Sequence, residues 1–376
     1  MIKVVIVFGT RPEAIKMCPL VLELNKCKEI QSVVCVTGQH REMLDQVLNT
    51  FDIDPDYNLE IMKNNQTLTD ITSSVLKGME QVLIEEKPQL VLVHGDTTTS
   101  YATALAAFYR RIPVGHVEAG LRTGDIYSPF PEEMNRLLTD RISTYFFAPT
   151  KLNEKNLNTE GISNNVFVTG NTVIDAFRYT VSDEYVFNDV KLNTIAIEHN
   201  NVVVVTAHRR ENWGKALENI CNSIMRLAIE YKDMLFVYPV HLNPQVKGVV
   251  YEMLSGIDNV LLLNPLSVLD MHNLLAKCYM VMTDSGGLQE EAPHFGKPVL
   301  VLRQETERPE AVEAGTVKVV GTDERNIYIE AKKLLDDKDE YRKMAIAVNP
   351  YGDGHACERI VKIIETLDSN KGDIHD

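Results

Sequence analysis

The chain lacks the signatures of the common redox, metal-dependent and hydrolytic enzymes. Its six cysteines are scattered, with no Cys-x-x-Cys and no metal-like spacing, so we expect buried, reduced thiols. It contains no Walker loop, no His-Glu-x-x-His and no Gly-x-Ser-x-Gly. The turn after the first predicted strand has one glycine, Gly9, and cannot form the Gly-x-Gly-x-x-Gly fingerprint of NAD binding. We therefore expect no cofactor and no structural metal, while a dissociable metal stays open.

Positive charge is also scarce. Lys and Arg number 38 and Asp and Glu number 53, which gives a formal net charge of −15 and argues against a nucleic-acid partner. A locally basic site for a small anion is still compatible with this total. No apolar run approaches the roughly 20 residues of a membrane helix, and the apolar N-terminus is too short for a signal peptide. We therefore predict a cytoplasmic protein with no membrane partner.

Short runs rich in Val, Ile and Leu alternate with helical patterns along the chain. This alternation is typical of βαβ units in an α/β fold with doubly wound parallel sheets, and 376 residues suffice for two such domains. Gly170 and the residues after it mark the predicted crossing between the domains. The strands predicted for the first domain are 3–8, 32–37, 90–93, 114–117, 145–147 and 166–168. Those predicted for the second are 202–206, 235–240, 260–263, 280–283, 299–302 and 317–319.

Three acidic residues stand at βα junctions of the first domain. Asp96 and Glu118 each follow a predicted strand, and Glu132 opens a predicted helix. The carboxyl ends of neighbouring parallel strands share one edge, where ligands bind. We therefore expect these three carboxylates to carry proton transfer at one site. His94 directly follows the predicted strand 90–93 and His116 lies inside the predicted strand 114–117, and both are expected to be buried.

Basic residues stand at comparable junctions, where an anion would bind. Arg11 and Lys16 flank the N-terminus of the first predicted helix, which attracts phosphate. A capped helix with solvated charges explains these two residues equally well. In the second domain His208, beside Arg209, and His241 follow adjacent strands. They suit a diphosphate there, or simply lie at the surface.

The sharpest single motif follows the predicted strand 280–283. Ser285, Gly286 and Gly287 turn the chain into a helix, and their small size lets backbone N–H groups approach a phosphate. Glu291, further along this helix, can accept both hydroxyls of a ribose. A plain helix cap explains the serine but not the glycine pair with the acid. The motif therefore indicates a nucleotide site.

Together these motifs resemble the non-hydrolysing UDP-N-acetylglucosamine 2-epimerases of bacteria. The resemblance extends from Met1 to about Leu367. It is carried by long motifs at residues 9–16, 93–99, 115–123, 131–136, 207–212, 284–293, 308–316 and 349–354.

The resemblance implies a GT-B architecture, in which two Rossmann-like domains face a central cleft. It implies a first domain of residues 1–170, completed by a C-terminal helix within 356–376, and a second domain of residues 171–355. The implied reaction is reversible epimerisation of UDP-GlcNAc to UDP-ManNAc at C2, for bacterial surface polysaccharide synthesis. It proceeds by anti elimination of UDP to 2-acetamidoglucal and re-addition. A homodimer is also implied.

The resemblance further implies roles for individual residues. Catalysis is expected from Asp96, Glu118, Glu132 and His208. The substrate and its UDP are expected to bind Arg11, Lys16, His208, Met271, Ser285, Gly286, Gly287 and Glu291. A second, activating UDP-GlcNAc is expected at Gln39, His40, Gln46, Gln66, Glu132, Arg209 and His241.

Three other functions share parts of this pattern. A GT-B glycosyltransferase would have the same fold and the Ser-Gly-Gly turn, but it would need an acceptor site and would not need three carboxylates. A hydrolysing 2-epimerase would release UDP and free ManNAc. A non-catalytic sensor would bind UDP-GlcNAc without exchanging the hydrogen at C2.

Overall fold

A computed structural model describes residues 1–38, 41–63, 66–194 and 201–367 of the chain. The chain divides into two units, one formed by Met1–Tyr179 with the segment from Tyr351 onward, and one formed by Thr180–Pro350. Each unit is built on one parallel sheet. No helix among the described residues is long and apolar enough to cross a membrane.

The first unit has a seven-stranded sheet in the order β3-β2-β1-β4-β5-β6-β7. Its strands are β1 (Ile2–Phe8), β2 (Ile30–Val36), β3 (Tyr57–Asn58), β4 (Leu90–His94), β5 (Val114–Val117), β6 (Tyr145–Ala148) and β7 (Val166–Val168). Its helices are α1 (Arg11–Leu24), α2 (Arg41–Thr50), α3 (Leu68–Glu86), α4 (Thr98–Tyr109), α5 (Glu132–Ile142), α6 (Lys151–Thr159), α7 (Thr172–Thr180) and the C-terminal α16 (Ala356–Leu367). The strand order reverses between β1 and β4, so the turns after these two strands lie side by side.

The second unit has a six-stranded sheet in the order β10-β9-β8-β11-β12-β13, with the same reversal between β8 and β11. Its strands are β8 (Val202–Thr206), β9 (Leu235–Pro239), β10 (Val260–Leu263), β11 (Met280–Thr283), β12 (Val299–Val301) and β13 (Val317–Val319). Its helices are α8 (Val190–Thr194), α9 (Lys215–Glu230), α10 (Pro244–Leu254), α11 (Val268–Lys277), α12 (Gly286–Glu291), α13 (Pro309–Ala314), α14 (Glu324–Asp336) and α15 (Lys338–Ala345).

The central strands are apolar on both faces because helices cover both sides of each sheet. All five residues of β8 are buried. In the first unit one core lies between the sheet and the helices α3 and α4. In the second unit the core includes α9, α10 and α14, and α9 buries residues at helical spacing, such as Leu217, Cys221 and Ile224. These cores hold the strand ends, and the turns that follow them, in place.

The predicted strands lie where the structure has them, and the structure adds the strand β3, which was not predicted. It has two residues, which is too few for any periodic pattern. Polar residues dominate the sequences of the helices α2 and α6, and α7 directly follows the predicted crossing between the domains. The short helix α8 precedes residues 195–200, which lie outside the described part.

The division of the chain falls between Tyr179 and Thr180, at the last residue of α7, rather than at the predicted boundary of 170/171. The reason is a buried contact between α7 and the C-terminal helix. The carboxylate of Asp175 accepts hydrogen bonds from the backbone N–H groups of Ala356 and Cys357, at 3.1 and 2.9 Å. Asn171 also donates its backbone N–H to the carbonyl oxygen of Tyr351 at 2.7 Å. The helix α16 packs against α1 and so completes the first unit.

Replacing Asp175 by alanine should weaken the attachment of α16. The substitution leaves the buried N–H groups of Ala356 and Cys357 without their acceptor, and each such group costs about 1–3 kcal/mol. We expect Asp175→Ala to lower the free energy of unfolding by about 2–4 kcal/mol in urea titrations followed by circular dichroism. Asp54→Ala, at an exposed loop position, is the control. Equal stability of the two variants would contradict this role of Asp175.

Candidate active site

Glu118 occupies a constrained position directly after β5. Its backbone φ is +66°, in the left-handed region that residues other than glycine rarely adopt and that costs about 1–3 kcal/mol. The carboxylate forms an ion pair with Lys16 and accepts a 2.9 Å hydrogen bond from Nδ2 of Asn171. Only 9% of the side chain is exposed. Strain that the surrounding structure maintains in this way clusters at functional sites.

Asp96 lies in the turn after β4 and is held by residues of α5. Arg136 donates to its Oδ2 oxygen at 2.5 Å, and Nδ2 of Asn135 donates to its carbonyl oxygen at 3.0 Å. The buried Arg136 also lies 3.1 Å from the carboxylate of Glu133. The side chain of Asp96 keeps 26% of its surface exposed. Arg136 therefore fixes the orientation of the Asp96 carboxylate through one oxygen, and the side chain remains accessible to a ligand.

The predicted acids stand on neighbouring turns of one sheet edge. Oε1 of Glu118 lies 3.5 Å from the position that a Cβ atom of Gly95, the residue before Asp96, would take. Glu132 is half-buried and is the first residue of α5, the helix whose Arg136 holds Asp96. The turns after β4 and β5 and the start of α5 thus carry all three side chains.

Glu13 joins the turns after β1 and β4, although sequence analysis assigned it no role. Its buried carboxylate accepts hydrogen bonds from the backbone N–H groups of Gly9 and Thr10, at 3.1 and 2.8 Å. It also accepts from the hydroxyls of Thr97 and Ser100, at 2.7 and 3.0 Å. Burial raises the pKa of Glu13, and these hydrogen bonds oppose the rise. One side chain therefore holds together the two turns at the reversal of strand order.

A buried ionic network adjoins the turn that carries Asp96. His116 places Nε2 2.7 Å from the carbonyl oxygen of Gly95 and Nδ1 2.6 Å from the carboxylate of Asp140. Asp140 also accepts a 2.7 Å hydrogen bond from Arg122. Burial by itself raises the pKa of Asp140, but His116 and Arg122 more than offset it and hold the pKa below its usual value. The network fixes the backbone next to Asp96.

His94 is buried beside Glu118, as its place in a strand predicts. Its Nε2 atom lies 3.8 Å from Oε2 of Glu118, and neither ring nitrogen has a hydrogen-bond partner among the described residues. Burial lowers the pKa of His94 to about 3, an effect that Glu118 opposes and Lys16 reinforces. The ring is therefore neutral at ordinary pH, and Lys16 supplies positive charge to Glu118.

The two predicted phosphate-binding residues of the first unit lie on α1. Arg11 is the first residue of this helix and is half-buried. Lys16 lies further along the same helix, where its ammonium group pairs with the carboxylate of Glu118. Lys16 therefore contacts one of the predicted catalytic acids directly, a contact that the sequence did not predict.

In the second unit the turns after β8 and β11 meet at Asp284. This buried carboxylate accepts hydrogen bonds from the backbone N–H groups of His208 and Arg209, both at 2.8 Å, and from Nδ2 of Asn212 at 2.9 Å. The ring Nδ1 of His208 lies 3.4 Å from its other oxygen, Oδ1. Burial lowers the pKa of His208; Asp284 opposes this shift, and His241 and Arg209 reinforce it.

The predicted Ser-Gly-Gly turn leads into α12. Ser285 is the N-cap, Gly286 and Gly287 are the first residues, and the helix has only 6 residues. Guanidinium nitrogens of Arg209 and Arg308 lie 3.6 and 3.9 Å from the Cβ position of Gly286. The two guanidinium groups and the N-terminus of α12 therefore all place positive charge at this turn.

Three arginines gather around one acid in the loops near this turn. Glu307 lies 3.5 Å from Arg209, 3.5 Å from Arg303 and 4.0 Å from Arg308. Arg308 also forms a buried ion pair with Glu290. Arg303 also pairs with Glu211 at 2.6 Å, so the three arginines and three glutamates form a charge-balanced ion-pair network at the strand ends of this unit.

Glu291 ends α12 and folds back toward its start. Its Oε1 atom lies 3.0 Å from the Cβ position of Gly287, and its Oε2 atom lies 3.7 Å from Nε2 of the buried His272. Met271, the residue before His272, is half-buried on α11. Glu291 and Met271, both predicted to bind the substrate UDP, therefore stand on adjoining helices.

The residues predicted to bind an activator are described only in part. Gln39 and His40 lie outside the described residues. Gln46 is exposed on α2, and Gln66 is half-buried before α3. Within the described ranges, no group of three or more His, Cys, Asp and Glu side chains is arranged to hold a metal ion.

Arg209 and His241, the other predicted activator contacts, both adjoin His208. Arg209 is its neighbour in the turn after β8, and the ring of His241 stacks on that of His208 with centroids 5.4 Å apart. Arg209, predicted for the activator, therefore shares one turn with His208, predicted for the substrate, and His241 reaches His208 from the turn after β9.

Sequence analysis missed several side chains that hold the predicted ones. Glu13, Asn171, Asp140 and Asp284 were assigned no role, yet each accepts or donates hydrogen bonds at a strand-end turn. Asp284 directly follows β11, and Glu13 lies in the first turn of α1. A carboxylate directly after a predicted strand or in the first turn of a helix can accept hydrogen bonds from backbone N–H groups. This position in the sequence could therefore have indicated the role of both residues.

A family model described as UDP-N-acetylglucosamine 2-epimerase matches residues 22–365. The chain belongs to this family. A UDP-N-acetylglucosamine 2-epimerase of Bacillus subtilis is 56% identical to it over 362 residues, which cover 96% of this chain and 94% of the relative. The family that the sequence motifs predicted is therefore confirmed.

Solved structures of the family share the fold over the whole chain. The S. aureus MnaA co-structure with UDP is 50% identical, covers 100% of both chains and has a TM-score of 0.90. The Neisseria meningitidis UDP-GlcNAc 2-epimerase bound to UDP-GlcNAc is 50% identical, covers 98% of this chain and 100% of its own, and has a TM-score of 0.87. The predicted GT-B fold class is confirmed by this similarity and by the two parallel sheets.

The burial of neutral His94 predicts an acid-sensitive term in the stability of this family member. Its folded pKa of about 3 lies below the ordinary value of 6.5, so its contribution is present above pH 6.5 and is lost as the pH falls toward 3. In that window His94 binds a proton in the unfolded state and not in the folded state. This difference should lower the free energy of unfolding by up to about 1.4 kcal/mol for each pH unit of acidification. We expect His94→Asn to show a shallower decline than the unmodified protein in urea titrations between about pH 7 and pH 5.

His241→Asn provides the control, because it replaces an exposed histidine of the second unit. This variant should keep the pH slope of the unmodified protein. If the slope for His94→Asn runs parallel to both, His94 is not a buried neutral histidine.

Proposed function

We propose that this chain is a non-hydrolysing epimerase that interconverts UDP-GlcNAc and UDP-ManNAc at C2. The observation that carries the proposal is the setting of Glu118, a strained acid held by Lys16 and Asn171 beside the turn of Asp96. Relatives solved with UDP and with UDP-GlcNAc support the choice of ligand.

The proposed chemistry explains why several carboxylates are needed. The hydrogen at C2 is weakly acidic, and a positioned acid–base group contributes about 10²–10⁴-fold to its transfer. A carboxylate among Asp96, Glu118 and Glu132 takes this proton while the C1–O bond breaks and its electron pair leaves with UDP, which gives 2-acetamidoglucal. In the second step the UDP oxygen attacks C1, and a carboxylic acid on the opposite face gives a proton to C2. The configuration at C2 is thereby inverted.

UDP must be held between the two steps, because its loss would end the reaction as a hydrolysis or leave the glucal. We assign UDP binding to Arg11, Lys16, His208, Met271, Ser285, Gly286, Gly287 and Glu291. The diphosphate suits the turn at Ser285, where Arg209 and Arg308 add positive charge. Fixed donors aimed at developing negative charge are commonly a large catalytic term. Glu291 then accepts from the ribose hydroxyls.

Incubation of UDP-GlcNAc in D₂O, followed by proton NMR, tests the proposal against its rivals. We expect UDP-ManNAc that carries deuterium at C2, because the proton that returns to C2 comes from a group in exchange with solvent. Accumulation of UDP with free ManNAc would indicate a hydrolysing epimerase. Binding without exchange would indicate a sensor, and transfer of the sugar to an added acceptor with C2 still protonated would indicate a glycosyltransferase.

Isosteric neutral variants test the acids in the same assay. Asp96→Asn, Glu118→Gln and Glu132→Gln should each lower the rate of C2 exchange by roughly 10²-fold or more, while circular dichroism shows a folded protein. Asp54→Asn, which neutralises an exposed loop carboxylate, is the matched control and should exchange at the normal rate. Normal exchange in any of the three variants would remove that residue from the scheme.

We further propose that UDP-GlcNAc activates the enzyme from a second site. The assigned contacts are Gln39, His40, Gln46, Gln66, Glu132, Arg209 and His241. The stacking of His241 on His208 supports the proposal, because a ligand at His241 would meet the turn that holds the substrate UDP. Differential contacts of this kind are what a coupling between two sites requires.

Kinetics from the UDP-ManNAc side measure this activation. We expect little turnover of UDP-ManNAc alone, a burst of activity on addition of a trace of UDP-GlcNAc, and a sigmoidal dependence on UDP-GlcNAc. Gln46→Ala should weaken the activation, whereas Asn49→Ala, an exposed change on the same helix, should leave it intact. Hyperbolic turnover of UDP-ManNAc without any UDP-GlcNAc would contradict the regulatory site.

The remaining expectations from the resemblance stay predictions. They are a homodimer, a cytoplasmic location and a product that enters bacterial surface polysaccharide synthesis.

A further inference from the structure

We propose that Asp284 is a positioning residue that decides which ring nitrogen of His208 carries the proton. The inference rests on the proposed function, in which His208 contacts the UDP leaving group. The two oxygens of the Asp284 carboxylate differ in the number of hydrogen bonds that they accept.

All the donors that reach Asp284 bind one of its two oxygens. The Oδ2 atom accepts from the backbone N–H groups of His208 and Arg209 and from Nδ2 of Asn212, at 2.8, 2.8 and 2.9 Å. The Oδ1 atom is buried and has no hydrogen-bond partner among the described residues. The ring Nδ1 of His208 lies 3.4 Å from it. Catalytic contacts are commonly this long before the substrate binds and then shorten.

A carboxylate oxygen can only accept a hydrogen bond, so it favours a proton on the nitrogen that faces it. Partial burial lowers the pKa of His208 although Asp284 opposes the shift, which favours the neutral ring, and a neutral ring carries a single proton. That proton belongs on Nδ1, which leaves Nε2 with its lone pair. When the UDP anion binds, Nε2 can take up one proton from solvent and donate it in a hydrogen bond to a phosphate oxygen. The imidazolium that forms is matched by the charge of Asp284.

The fold fixes the distance between these two side chains. The hydroxyls of Thr206 and Thr283, paired across β8 and β11 immediately before the two turns, lie 2.6 Å apart. The hydroxyl of Tyr238 donates a 2.9 Å hydrogen bond to the carbonyl oxygen of Ala207. Ala207, which precedes His208 just after β8, and Thr283, which precedes Asp284 at the end of β11, are therefore both held. Asp284 consequently meets His208 in one arrangement.

His241 provides an internal reference with the opposite protonation. Its ring stacks on that of His208 at an interplanar angle of 10°. Its Nδ1 atom accepts a 3.1 Å hydrogen bond from the backbone N–H of Asn243 and so cannot carry a proton in the neutral ring. The proton of neutral His241 therefore belongs on Nε2. Two stacked histidines should thus differ in tautomer because one faces an acceptor and the other faces a donor.

Long-range proton–nitrogen NMR on the full chain labelled with ¹⁵N-histidine measures both tautomers directly. The signals are assigned by their disappearance in His208→Gln and His241→Gln. At neutral pH and without ligand, we expect His208 as the Nδ1–H form and His241 as the Nε2–H form. An Nε2–H form of His208 in the unmodified protein would overturn the proposal, whatever any variant does.

Asp284→Asn reverses the polarity that His208 meets while keeping the shape. The amide must turn its oxygen toward the three donors on the Oδ2 side, so its NH₂ group faces Nδ1 of His208. We expect His208 to change to the Nε2–H form and kcat for epimerisation to fall roughly tenfold or more. Retention of the Nδ1–H form with unchanged kcat would overturn the proposal.

Tyr238→Phe is the matched control, because it also removes a buried hydrogen bond next to the same turn. Because Asp284 and its three donors are unchanged in this variant, it should leave the Nδ1–H form of His208 in place, and conversion to the Nε2–H form there would overturn the assignment of the tautomer to Asp284. The tautomer measurement needs no turnover. Absence of deuterium at C2 would therefore count against the proposed function, and the NMR result would still decide the role of Asp284.

Discussion

A buried carboxylate at each reversal of strand order holds the turns on which the candidate site depends. Glu13 accepts from backbone N–H groups after β1 and from hydroxyls after β4. Asp284, which directly follows β11, accepts from backbone N–H groups after β8. Burying a carboxylate costs several kcal/mol unless its charge is hydrogen-bonded or paired. Each carboxylate is therefore stable only when both turns are in place, which makes the two turns a single structural unit.

Charged side chains at both sheet edges are held by partners of opposite charge. In the first unit buried or half-buried cations such as Lys16 and Arg136 hold the acids in position. In the second unit Arg209, Arg303 and Arg308 gather around Glu307, and Glu211 and Glu290 pair with two of these arginines. These ion pairs orient the charged groups at both edges.

Histidines at the strand ends behave differently because their neighbours differ. His94 is buried without a hydrogen-bond partner in the described part of the chain, and burial keeps it neutral. His116 is equally buried but lies between a carbonyl oxygen and Asp140. His208 is partly exposed, with 39% of its side chain accessible, and faces Asp284. Burial and the nearest oxygen, rather than the residue type, decide whether each ring is inert, structural or available to a ligand.

The sequence by itself determined the fold class, the family and every strand of both sheets except β3, because apolar periodicity and motif order are local properties of the chain. It also placed Asp96, Glu118 and Glu132 at strand-end junctions. Only the tertiary structure decided what holds them: Arg136 comes from α5, 40 residues beyond Asp96, and Asn171 from a segment 53 residues beyond Glu118. Such partners are set by strand order and helix packing, which bring distant segments together and leave no regular spacing in the sequence. For the same reason the proton on His208 could not be assigned until Asp284 was seen beside it.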